Sequence, residues 1–144
     1  MQKSPMAVLC FFTSILQRRS ALSVLFEIIE SPHHPNFTAL YQRRGYQVLP
    51  LTSTRKAVSQ LKKQPPDIVV ADFVYGYSNN YSGVHISNLD VFLMSLAKFA
   101  PQARVIILAA PKEFEHAEKM RQHCEVAAIL PFGVAEAELE ARMK

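Results

Sequence analysis

Residues 66–73 read Pro-Asp-Ile-Val-Val-Ala-Asp-Phe, an apolar run opened by a proline and interrupted near its end by the carboxylate of Asp72. A run of this kind, without polar alternation, is covered on both faces, which is how a buried strand of a parallel sheet reads. Similar runs lie on both sides of it. Residues 23–29 (SVLFEII) and 47–51 precede it; residues 104–109 (RVIILA) and 126–130 (VAAIL) follow it, the last stopped by Pro131. The stretches between them carry helical patterns. Residues 36–44 can start from Asn36 as a cap and stop at Gly45. Residues 54–64 place Ala57, Val58 and Leu61 on one face and end at Pro65-Pro66. Residues 88–100 bury Leu89, Phe92, Leu93 and Leu96; residues 112–123 contribute Phe114, Ala117 and Met120; residues 134–144 turn Leu139 and Met143 inward. Strand and helix alternate five times, which predicts an α/β, doubly wound, five-stranded parallel sheet with helices on both faces.

The composition agrees with one core of this size. The chain has 144 residues, 49% hydrophobic and 19% charged, with four glycines, which excludes disordered and fibrous classes. The net charge of +4 is spread along the sequence in pairs, Arg18-Arg19, Arg43-Arg44, Arg55-Lys56 and Lys62-Lys63. Read as solvated helix faces, they give no warrant for a nucleic-acid partner. Cys10 and Cys124 form no CxxC, and neither His33-His34 nor His123-Cys124 has metal-ligand spacing, so no metal site is expected. The apolar stretch 7–16 (AVLCFFTSIL) falls well short of the ~20 residues of a membrane span. Its positive charges, Arg18 and Arg19, follow it, where a signal peptide carries them in front. Residues 1–22 are therefore read as an N-terminal extension, an extra strand or helix beside a domain at 23–144. No membrane partner and a reducing, cytoplasmic location are expected.

In open parallel sheets the chemistry sits at the carboxyl ends of the strands, which directs attention to Glu30, Asp72, Ala109, Leu130, Pro131 and Phe132. No GxGxxG, GxxxxGK[ST] or GxSxG occurs, so dinucleotide, P-loop and hydrolase chemistry lose their usual warrant.

Arg43-Arg44-Gly45-Tyr46-Gln47-Val48, then Ala57 to Leu61, then the Pro66-Asp67 that opens the run to Asp72, together resemble the response-regulator receiver domain of two-component signalling. Val105 to Ala109 is similar to that family's fourth strand. Ile129-Leu130-Pro131-Phe132 is similar to its lysine-proline-phenylalanine signature, apart from the lysine. The resemblance implies a flavodoxin-like, receiver-like fold and a phosphoacceptor position at Asp72. It also implies an acidic pair after the first strand that holds magnesium with the phosphoacceptor, a hydroxyl after the fourth strand and a lysine after the fifth. Here the acidic pair falls on Ile29-Glu30, the hydroxyl on Ala109 and the lysine on Leu130. Each missing electrostatic partner of the transferring phosphoryl group costs roughly 3 kcal/mol.

Together these readings describe a non-catalytic pseudo-receiver with a degenerate pocket, an interaction module for another signalling protein such as a histidine kinase or regulator. No cofactor is expected. The alternative is an atypical single-domain response regulator phosphorylated on Asp72, in which case Glu30 and Asp72 would hold magnesium; a third is a flavodoxin-like binder of a nucleotide or nucleic acid. Without a lysine, Asp72 is expected to find backbone donors or stay hydrated. Residues 74–87 (VYGYSNNYSGVHIS) form a long connection whose Tyr75, Tyr77 and Tyr81 make it a candidate interaction loop. A different register, with residues 7–12 as the first strand and 14–30 as a helix, would remove Glu30 from the pocket.

Overall fold

The structure, a computed structural model, describes residues 23–76 and 87–144. Five strands form one all-parallel sheet: β1 (Ser23–Ile28), β2 (Tyr46–Leu51), β3 (Ile68–Asp72), β4 (Arg104–Ala109) and β5 (Ala128–Pro131), in the order β2-β1-β3-β4-β5. The helices are α1 (Thr38–Arg43), α2 (Thr54–Lys63), α3 (Asp90–Phe99), α4 (Phe114–Glu118) and α5 (Glu136–Arg142). The doubly wound α/β fold expected from the sequence is present. Strand 23–28 also rules out the register that makes residues 14–30 a helix. The proposed extension, residues 1–22, lies outside the described residues. Among the described residues, no helix is long and apolar enough to cross a membrane.

Alternation along each strand divides the interior. Val24, Phe26, Ile28, Val69, Ala71, Val105 and Ile107 face α2, α3 and α4. Leu25, Ile68, Val70, Ile106, Leu108 and Leu130 face α1 and α5 through Leu40, Tyr41, Leu139 and Met143. Asp67 ties the strand starts together, its Oδ2 accepting from the Val24 amide at 2.7 Å. Strand order reverses between β1 and β3, which opens a crevice at their carboxyl ends.

Several element boundaries differ from the sequence reading by a residue or two, and three of the differences have a local cause. Helix α1 starts at Thr38, because Asn36 Oδ1 accepts from the Thr38 amide (3.2 Å) and holds an entry turn ahead of the helix. It still ends before Gly45, whose φ of +89° suits glycine. The helix expected over 112–123 is instead a 3-10 turn (Pro111–Glu113), α4, and a second 3-10 turn (Lys119–Gln122). Phe114, Ala117 and Met120 recur every third residue, and tighter 3-10 winding keeps that spacing on one face where an α-helix would rotate it away. Finally, β5 begins two residues late and includes Pro131, whose missing amide is tolerated on an edge strand.

Candidate functional site

Strand β3 delivers Asp72 to the crevice on the α1–α5 face. Cross-strand register aligns it with Leu108, and Leu108 with Leu130, in one row. Glu27 lies on the same face of β1, beside Val70. Both carboxylates are buried, Asp72 wholly and Glu27 to 3% exposure. Two buried carboxylates on one face need a cation or must give up their charge.

The cation comes from the loop between β1 and α1. Ser31 shapes a tight turn: its Oγ accepts from the His33 amide (3.1 Å), and its carbonyl from the His34 amide (3.2 Å). The turn folds His34 back between the two acids. His34 Nδ1 meets Asp72 Oδ1 at 2.6 Å, and Nε2 meets Glu27 Oε2 at 2.7 Å. A ring with a carboxylate on each nitrogen donates from both and is an imidazolium. Burial alone would lower its pKa; the hydrogen bonds and charges of Asp72 and Glu27 outweigh burial and raise it to about 9. The second oxygen of Asp72, Oδ2, accepts from the amides of Glu30 (2.9 Å) and Ser31 (3.0 Å). The carboxylate therefore finds the backbone donors its sequence context demanded. It also has a cation, from an element the sequence reading did not consider.

Glu30 is turned away from Asp72. Its Oε1 accepts from Asn88 Nδ2 at 2.6 Å. That amide also donates to the Asp72 carbonyl (2.8 Å), and Asn88 Oδ1 accepts from the Val74 amide (2.8 Å). Asn88 thus fastens both ends of the long β3–α3 connection to the site. Tyr75 pairs with Ser87 in an antiparallel bridge and stacks on His116 at 3.9 Å. Tyr77 and Tyr81 lie outside the described residues. At the base of α3, buried Asp90 accepts from the Ser87 amide (2.8 Å) and hydroxyl (2.9 Å) and bonds His123 Nε2 (2.8 Å). Burial would raise the Asp90 pKa, but the bonds from His123 and Ser87 hold it below the ordinary value.

The remaining pocket positions are apolar. Ala109 is buried in the α2–α4 core, and Leu130 packs in the α1–α5 core. Pro131 and Phe132 are half-buried at the rim, the Phe132 ring 6.2 Å from His33. Tyr41 is fully buried beneath the site. Its hydroxyl has no hydrogen-bond partner among the described residues, and burial, with the charges of Glu27 and Asp72, pushes its pKa upward, so it stays a neutral phenol.

This donor set does not fit the magnesium ion that the receiver resemblance implies. Both Asp72 oxygens are engaged, Glu30 is held by Asn88, and no group of three or more acidic, histidine or cysteine side chains among the described residues could hold a metal. Glu27 and Asn88 escaped the sequence reading, and His34 entered it only as a metal ligand without the right spacing. One signal was present: Glu27 is the single charge inside the apolar run SVLFEII, and a charge in a buried strand requires a partner.

No family model matches the sequence, and no curated protein matches it. Solved structures do. A response-regulator receiver domain protein from Clostridium thermocellum superposes with a TM-score of 0.63 at 21% identity, covering 85% of this chain and 91% of that one. The N-terminal domain of a three-domain response regulator/sensory box/GGDEF protein from Carboxydothermus hydrogenoformans gives 0.63 at 15% identity, over 84% and 90%. A response regulator from Burkholderia pseudomallei, solved with a phosphorylated aspartic acid, a calcium ion and citrate, gives 0.58 at 16% identity, over 85% and 66%. The chain has the receiver fold.

Proposed function

We propose that this chain is a receiver-fold signalling module that acts by binding another signalling protein, a histidine kinase or regulator, and takes up no phosphate. Phosphorylation of an aspartate needs an oxygen lone pair open to in-line attack and partners for the charge on the phosphoryl oxygens. The contact of His34 Nδ1 with Asp72 Oδ1 carries the proposal, because it occupies the oxygen that the two backbone amides leave free. An imidazolium bonded there withdraws nucleophilicity from the carboxylate. With Ala109 and Leu130 where a hydroxyl and a lysine would stand, an incoming phosphoryl group would also lack two partners, each worth roughly 3 kcal/mol. On this reading the protein is not an enzyme and needs no cofactor; its signal is its surface.

Phosphorylation on Asp72 by a kinase has the strand-end position of Asp72 in its favour, and it requires His34 to leave both carboxylates. The nucleic-acid reading loses two cations, since Arg43 is paired with Glu136 at 2.6 Å and Arg44 with Glu140 at 3.5 Å. Intact-mass spectrometry after incubation with acetyl phosphate and magnesium tests the proposal. The expected spectrum is unchanged. A phosphoryl adduct that is absent from Asp72→Ala would overturn it.

A further inference from the structure

Charge is segregated on this domain. The segments 111–125 and 134–144 hold seven of the twelve carboxylates, and Arg121 and Arg142 there pair with Glu118 and Glu138. Helices α2 and α3 differ. Their only carboxylate, Asp90, is buried, whereas Arg55, Lys56, Lys62, Lys63 and Lys98 are exposed. None of these five forms an ion pair among the described residues. Lys62, Lys63 and Lys98 sit in last turns, where the helix dipole favours cations. Arg55 and Lys56 sit in the first turn of α2, where it opposes them. Helix stability therefore does not account for their position.

Helix α3 also exposes apolar side chains. Val91 and Met94, three residues apart on α3, are 49% and 48% exposed, and Phe99 is 41% exposed. Beside them a groove of about 340 Å³ runs between the helices, lined by Thr54, Arg55, Val58, Ser59, Val91 and Phe92. Arg55 lines this groove and Lys98 follows Met94 by one turn on the same side of α3, so apolar and cationic side chains share the surface, which complements an amphipathic helix carrying apolar residues and carboxylates. A nucleic-acid duplex would engage the cations and leave the apolar side chains unburied.

We infer that the groove between α2 and α3 is the docking site for an acidic amphipathic helix of the partner protein. The partner's apolar residues lie against Val58, Val91 and Met94, and its carboxylates against Arg55 and Lys98. The inference rests on the interaction-module reading and names the surface that reading uses.

The test uses the full chain and fluorescein-labelled helical peptides of about four turns, with leucine on one face and glutamate on both flanks. Controls are the same peptides with lysine for glutamate, a short DNA duplex and vesicles containing phosphatidylserine. The expected result is binding of the glutamate peptides only, weakening with salt, with amide shifts confined to residues 54–63 and 91–99. Arg55→Glu with Lys98→Glu, and separately Val91→Ser with Met94→Ser, should each weaken binding about tenfold or more. All four positions lie on the helix surfaces, and circular dichroism verifies that the fold is retained. Absence of binding, equal binding of the lysine peptides, or shifts centred elsewhere would overturn the inference. Duplex or vesicle binding that needs Arg55 and Lys98 would overturn it too, by assigning the face to another class of partner. None of these substitutions touches Asp72, so failure here is distinguishable from phosphate uptake, which would defeat the underlying reading instead.

Discussion

His34 holds two buried carboxylates on one ring, and the consequences are local and measurable. Its removal leaves Glu27 and Asp72 with no cation in a buried site. Breaking a buried pair from one side costs about 3–5 kcal/mol, so His34→Ala should lose stability of that order in urea unfolding. The ring itself should titrate in nitrogen-15 NMR with both nitrogens protonated at neutral pH and a midpoint at about 9. Tyr41 predicts the opposite sign of effect. Because its buried hydroxyl has no partner among the described residues, Tyr41→Phe removes a desolvated donor and should leave stability unchanged or raise it by up to about 1 kcal/mol. At this scale the sequence displayed half of the site. Asp72 was legible because it closes an apolar strand, and Glu27 was visible as a lone charge in one. Their common partner was not, because only the turn at Ser31 brings His34 back onto the sheet.

Among the elements, the strands were legible from continuous apolar runs, and the helices α2 and α3 from apolar spacing near the helical period. Residues 112–123 were misread because their apolar residues recur every third position, a period that a 3-10 turn satisfies better than an α-helix. This segment should therefore exchange its amide hydrogens faster than α2 or α3, since short 3-10 turns hold poorer hydrogen bonds. Strand β5 offers a second test. Leu130 is packed against the α1–α5 core, so Leu130→Lys restores the receiver residue by type but buries a charge, at a cost on the order of 2 kcal/mol. It should not restore phosphate uptake, because both oxygens of Asp72 remain engaged.

The whole molecule combines a receiver fold with a site closed from within. In a receiver whose acids await a metal, neutralising one carboxylate relieves repulsion. Here Asp72 is bonded to the His34 imidazolium and to two backbone amides. The stabilisation follows the protonation of His34, whose pKa rises from 6.5 in a free chain to about 9 in the fold. A group with a raised folded pKa contributes fully below its unfolded value, and the contribution is lost as pH rises through the folded one. The deciding measurement is the unfolding free energy of the native chain minus that of His34→Gln, followed from pH 6 to 10. It should be constant below about 6.5 and fall as pH passes through about 9. A difference that stays level across this range, or grows toward high pH, would contradict an imidazolium holding Asp72.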